Sequence, residues 1–238
     1  FKGLINVSPL LDKFFNFNQP MADKIDWRSA KVLEKIDGSL IKLWFYKNKW
    51  CISTNRSIDA GHNTDWLDED SKFSNFRDLF LEAGRDKLNF DNLNRDYTYI
   101  FELVSPHNRI IVPYNKTDIY HIGTRNNNTL QELKTNIGVQ KPKEYELNSL
   151  SDIKEKAKQL PADREGYVVV DKNFNRIKIK SPSYLRMANL KNNGNLTDRR
   201  ILELILEGDY EEFISYFPKY KNTINRILQP YNNLLSEI

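Results

Sequence analysis

At 238 residues and 28.1 kDa the chain allows one large domain, or one domain with a small appendage, at ~100–200 residues per domain. Hydrophobic residues make up 39% and aromatics 12%, enough for a packed core and against wholesale disorder. The charge balance of 36 Lys plus Arg against 32 Asp plus Glu, net +4, suits a polyanionic partner without requiring one, since an AT-rich gene yields the same excess of Asn, Lys, Ile and Tyr. A single cysteine, Cys51, excludes an intramolecular disulfide, and no charged-then-apolar leader opens the sequence. No apolar run approaches the ~20 residues of a membrane helix. A soluble, cytoplasmic, monomeric protein with no membrane partner is the expectation.

In chain order, residues 39–45 and 50–54 flank the polar turn "YKNK" and read as a hairpin. Helical periodicity follows over 72–84. "YTYIFELV" and "RIIVPY" around "SPHN" read as a second hairpin, 129–137 and 150–159 as helices, and "GYVVVD" with "RIKIKS" around "KNFN" as a third hairpin. From residue 197 the pattern becomes helical, with Thr197 as a candidate N-cap and Pro218 as a helix start. The expected architecture is α+β, with a body over 1–190 and a helical appendage over 191–238.

The chemistry gathers on "EKIDGS", residues 34–39, where a lysine stands beside a bend that Gly38 permits. An amine nucleophile must be neutral, whereas free lysine has a pKa near ~10.4, so Lys35 would need charge, metal or desolvation around it. Three further features follow in order: Glu102 within the strand "YIFELV", Glu165 at the mouth of "EGYVVV", and Lys178 with Lys180 two residues apart in "RIKIKS". Two residues apart on a strand means one face, so both ammonium groups can converge on a polyphosphate, and the "DKNFN" hairpin would bring Glu165 beside them. Taken singly, Glu102 also reads as an exposed strand residue, and the two lysines as edge-strand charges that discourage aggregation.

The ordered set of Lys35-x-Asp37-Gly38, Phe101-Glu102-Leu103, Glu165-Gly166-x-Val168-Val169 and Lys178-Ile179-Lys180 resembles motifs I, III, IV and V of the covalent nucleotidyltransferases. Within that group, "DKFFNFNQP", "FELVSPHNRIIVPY" and "DIYHIGTRN" are similar to the ATP-dependent RNA ligases of the bacteriophage RNA ligase 1 type, over about residues 2–185. The resemblance implies an ATP-grasp-like nucleotidyltransferase domain of antiparallel sheets flanked by helices. It implies ATP and Mg²⁺ as cofactors, RNA ends as partner, with tRNA among the options, and a three-step reaction through lysyl-AMP on Lys35. Around that nucleophile it places Lys2, Lys13, Glu34, Asp37, Gly38, Arg56, Glu102, Glu165, Lys178 and Lys180 as nucleotide-binding residues. Glu165 and Glu211 are its metal candidates; in the "EGDYEEF" stretch a solvated helix face is the competing reading.

The chain departs from the family pattern in three places. Lys2-Gly3 stands where an Arg-Gly is usual, Arg56 stands near a customary lysine, and a pocket segment of the pattern lies upstream of residue 1. The helical appendage favours RNA ligase over a DNA ligase or capping enzyme, which add an oligonucleotide-binding barrel. A catalytically silent nucleic-acid-binding relative and a guanylyl-transferring capping enzyme remain as alternatives. For the tail two readings stand: a separable recognition element carrying "DRR" and "PKYKNTINR", or helices whose Ile201, Leu204, Ile205, Phe213 and Phe217 pack onto the body.

Overall fold

The computed structural model describes residues 9–62, 72–192, 197–207, 210, 214 and 218–236. Two five-stranded sheets form the body. The first contains β1 (Phe15–Asn16), β2 (Lys31–Glu34), β8 (Glu144–Tyr145), β9 (Gly166–Val170) and β10 (Arg176–Lys180) in the order β1-β10-β9-β2-β8. Its β1–β10 pair is parallel and its other pairs are antiparallel. The second contains β3 (Ser39–Tyr46), β4 (Lys49–Thr54), β5 (Tyr97–Val104), β6 (Asp118–Asn126) and β7 (Glu132–Leu133), antiparallel throughout, in the order β4-β3-β5-β6-β7.

Each sheet buries one face under a helix. Helix α1 (Phe76–Gly84) starts where the Asn75 side chain accepts from Asp78 N, and it lays Leu79, Phe80 and Ala83 on Ile41, Leu43, Phe101 and Leu103 of the second sheet. Phe80 and Phe101 are fully buried with ring centroids 5.2 Å apart, so truncating either to alanine costs about 3–5 kcal/mol. Helix α2 (Leu150–Lys158), capped by Ser149, sets Ile153 and Ala157 against Val32, Tyr167, Val169, Ile177 and Ile179 of the first sheet. Strand alternation then turns Leu33, Val168, Lys178 and Lys180 to the opposite face, and a cleft of about 340 Å³ lies between that face and the second sheet.

The first and third expected hairpins form. Lys47 and Asn48, at φ 47° and 61°, make the two-residue turn between β3 and β4, the left-handed pair that matches strand twist. The second expected hairpin is wrong in its partner. Residues 109–114 form no strand, because the Ile111 and Val112 N–H groups donate to Asp37 Oδ2 at 2.8 Å, and β5 pairs instead with β6, the "DIYHIGTRN" segment. The helix expected over 129–137 is also absent. Asn126 Oδ1 captures the N–H groups of Asn128 and Thr129, Leu130 turns at φ 60°, and Glu132–Leu133 pairs with β6 as β7.

The C-terminal part contains α3 (Pro182–Asn192), α4 (Asp198–Glu207), a 3₁₀ turn at Pro218–Tyr220 and α5 (Lys221–Ser236). Buried Ile201, Leu204, Ile205 and Ile224 share one cluster with Ile111, Val112, Tyr184, Met187 and Ala188. The expected appendage is therefore packed into the body over its described residues; Phe213 and Phe217 lie outside them. No described helix is long and apolar enough to cross a membrane.

Candidate active site

Residues 35–38 carry the chain from the end of β2 in the first sheet to the start of β3 in the second. Lys35 is therefore held at the seam of the two layers, and its N–H donates to Gly166 O at 2.9 Å. Gly38 is required by close approach, because a Cβ there would stand 2.5 Å from Leu103 O and 2.9 Å from Glu102 Cγ. Gly166 is required twice over: its φ is 141°, and a Cβ would fall 2.1 Å from Ile179 O.

Glu165 is the hub of the charge arrangement. Buried to 4% exposure, it receives Lys35 Nζ on Oε2 at 2.9 Å and Lys180 Nζ on Oε1 at 3.0 Å. Glu102 on β5 sits opposite Leu40 and Tyr120 and lines the cleft with Lys35. Burial pushes its carboxyl up to about 7, against the opposing pull of Lys35 and the Gly38 N–H. Burial also pulls the Lys35 amine down, but Glu165, Glu102 and Asp37 outweigh it and hold the ammonium above the ordinary lysine value. Lys178 is shifted down by burial and by its neighbours Lys35, Lys180 and Lys13; its Nζ stands 5.7 Å from the centre of the Phe14 ring.

The structure thus brings Lys35, Glu102, Glu165, Lys178 and Lys180 together. Lys13, exposed at the entry to β1 with its Nζ 5.0 Å from the Phe15 ring centre, lies within electrostatic reach of Lys178. Asp37, expected to contact the nucleotide, has its carboxylate engaged within the protein. It is 5% exposed, and its carboxylate takes Ile111 N, Val112 N and Tyr184 Oη, the last at 2.7 Å, while its N–H donates to Tyr114 Oη. The Glu34 carboxylate is engaged by Arg164. Arg56 follows β4 in the turn closed on Thr54 Oγ1 and is not among the residues that line the cleft. Lys2 and Glu211 lie outside the described residues. Sequence reasoning missed Tyr184, Tyr114 and Arg164; only the position of Arg164 beside Glu165 offered a signal.

Among the described residues no group of three or more His, Cys, Asp or Glu side chains is arranged to hold a metal ion. Beside Lys35, hard oxygen donors are offered by the carboxylates of Glu102, which lines the cleft, and of Glu165, which Lys35 contacts. That set fits Mg²⁺, which binds through one or two carboxylates and takes its remaining ligands from phosphate and water.

A buried lysine ammonium that shares a carboxylate with a second lysine, at the seam of two sheets, is an arrangement suited to receiving a phosphate group. The sequence profile of a family described as RNA ligase matches residues 7–184, and the chain belongs to that family. A protein of Autographa californica nuclear polyhedrosis virus named as a bifunctional polynucleotide kinase/RNA ligase is 33% identical over 97% of this chain and 35% of its own length. An RNA ligase of Rhodothermus phage RM378 is 27% identical over 100% of this chain and 62% of its own. The chain thus spans about a third and three fifths of the lengths of these two relatives. Among solved structures, Naegleria gruberi RNA ligase is similar at 15% identity and TM-score 0.46 in a form with ATP and Mn, and at 16% and 0.48 in an apo form. These alignments cover 68% and 66% of this chain and 52% and 51% of those structures.

Proposed function

We propose that the chain is the adenylyl-transferring body of an ATP-dependent RNA ligase that joins RNA 5′-phosphate and 3′-hydroxyl ends, tRNA ends among them, as a cytoplasmic monomer. The observation that carries this reading is the Lys35–Glu165–Lys180 bridge, with Nζ–O distances of 2.9 and 3.0 Å at the seam of two sheets. A surface lysine has no reason to share a buried carboxylate with a second lysine; a nucleophile at a polyphosphate site does.

In the nucleotide-free state Lys35 is held as an ammonium by Glu165 and Glu102, so attack requires its proton to leave. Glu102, titrating near neutrality at about 7, is suited to receive it. The neutral Nζ then attacks the α-phosphate of ATP, forming the N–P bond as the bond to the bridging oxygen breaks and pyrophosphate departs. Lys180 and Lys178 face the same space and neutralise the charge on the transferred group. Mg²⁺ would be held by Glu165, and it would supply further charge neutralisation on the phosphates. AMP passes from Lys35 to the 5′-phosphate of an RNA, and a 3′-hydroxyl displaces it.

The test is incubation with α-labelled ATP and Mg²⁺ followed by denaturing electrophoresis, with labelled GTP in parallel. A covalent label from ATP supports the reading, a label from GTP alone assigns a capping-type transfer, and no label from either leaves a nucleic-acid-binding relative. Side-by-side sealing of RNA and DNA ends then separates the two ligase classes, and light scattering checks the monomer.

A further inference from the structure

The cleft has a polar end at Lys35 and a second end that the reaction above does not use. Arg176 lies four residues before Lys180 on the same strand face, about 13 Å away at ~3.3 Å per residue. There it meets Glu132 of β7, so this pair spans from the first sheet to the second and closes the cleft. Both side chains are buried, at 9% and 6% exposure. The contact is bidentate: Arg176 Nη1 donates to Glu132 Oε2 at 2.7 Å and to Phe174 O at 3.1 Å, and Nη2 donates to Glu132 Oε1. Phe174 itself stands at φ 65°, an unusual backbone conformation for an aromatic residue, and its ring lines the same end of the cleft. Between the two ends the walls are apolar, with Leu33 and Val168 on one sheet and Ile122 and Leu133 on the other.

We propose that the Arg176–Glu132 pair is the nucleobase-discriminating end wall of the cleft, selecting adenine over guanine. This rests on the reading of Lys35 as the site of the α-phosphate. A phosphate there directs the attached nucleoside along the apolar slot, whose walls suit the flat faces of a base, and brings the base edge to the pair. A carboxylate offers about four lone-pair sites, of which Arg176 occupies two. Glu132 therefore retains acceptor capacity for the exocyclic amine of adenine, and it opposes the 6-oxo group that guanine presents at that position. Arginine left to itself has the reverse preference, because its fork matches guanine O6 and N7. Here Glu132 takes the fork, so the guanidinium is withheld from a guanine edge while the carboxylate faces an adenine one. Glu132 acts as the acceptor and Arg176 as the residue that positions it.

The experiment is equilibrium binding of ATP and of GTP to the full chain, with covalent labelling by each nucleotide in parallel. Glu132→Gln nearly preserves shape, removes the carboxylate charge and frees one arm of the guanidinium fork, and it is expected to move the ATP-to-GTP affinity ratio at least tenfold toward GTP. The double variant Glu132→Gln, Arg176→Gln removes both charges at similar bulk; it is expected to lose the adenine preference without gaining one for guanine. Near-UV circular dichroism verifies that each variant keeps native packing. An unchanged affinity ratio in natively packed Glu132→Gln overturns the assignment. So does an equal gain for GTP in the double variant, because Arg176 would then not be the group reading the base. Failure of covalent labelling with the affinity shift intact would sink the ligase reading and leave the base-selective wall standing. Binding of neither nucleotide by the unsubstituted chain overturns both.

Discussion

Removal of everything after residue 196 separates the two views of the C-terminal helices. The truncation strips α4 and α5 from a cluster in which Ile111, Val112, Tyr184 and Met187 are 9% exposed or less. Returning these four to water at ~1.5–3 kcal/mol each costs about 6–12 kcal/mol, against a total stability of ~5–15 kcal/mol for a typical domain. The loss also reaches the site, because Tyr184 Oη donates to Asp37 Oδ1 at 2.7 Å and Asp37 stands two residues from Lys35. The truncated chain is expected to lose cooperative thermal unfolding and lysyl-AMP formation together. A milder probe is Ile201→Ala, which removes a fully buried side chain at about 2–5 kcal/mol. At ~2–4 °C per kcal/mol for a chain of this size, the melting temperature should fall by about 4–20 °C. Calorimetry and labelling with ATP provide the measurements. A truncated protein with native circular dichroism, an unchanged melting temperature and normal adenylylation would refute the packing argument and restore the separable appendage.

Lys35→Ala and Lys35→Arg should both abolish the covalent label while leaving the fold native by circular dichroism, since a guanidinium stays protonated; label retained in either variant removes Lys35 as nucleophile. Lys180→Ala should lower the rate of lysyl-AMP formation by at least an order of magnitude, a loss of ~3 kcal/mol being typical for a charge aimed at a developing anion; a near-normal rate would leave Lys180 as a structural partner of Glu165 alone. The pH dependence of stability in the nucleotide-free protein contains two opposed contributions. Glu102, raised by burial to about 7, binds protons more tightly when folded, so its contribution falls as pH rises from about 4.5 to 7. His121, lowered by burial and then by Lys141 to about 4, binds them more tightly when unfolded, so its contribution rises with pH from about 4 to 6.5. Each amounts to about 3 kcal/mol across its window. Urea titrations from pH 4 to 7 should therefore show a steeper rise of stability with pH in Glu102→Gln and a shallower one in His121→Asn; parallel profiles for both variants and the parent would refute the assignment.

The lysines and carboxylates of the candidate site were legible in the sequence, partly from local strand geometry and partly from the resemblance to a known family. Lys178 and Lys180 share a face since strand side chains alternate, and Glu165 reaches them because the β9–β10 hairpin sets Gly166 opposite Lys180. Gly38 and Gly166 stand where no side chain fits. The α+β class was likewise readable from period, in the helices near 72–84 and 150–159 and in the first and third hairpins. Other features depended on contacts far apart in sequence, which periodicity does not encode. Asp37 looks like a nucleotide ligand beside Lys35, yet its carboxylate is engaged by Ile111, Val112 and Tyr184. Residues 109–114 have strand composition, but Asp37 takes the backbone N–H groups that a ladder would have used. Arg176 and Glu132 carry no motif at all; they become an end wall because β10 and β7 lie at facing positions of different sheets. The amphipathic faces of α4 and α5 announce burial without naming a partner. Tertiary packing supplied one, setting Ile201, Leu204 and Ile224 against Ile111, Val112 and Tyr184, because an apolar stripe specifies that it must be covered and leaves the choice of surface to the rest of the fold.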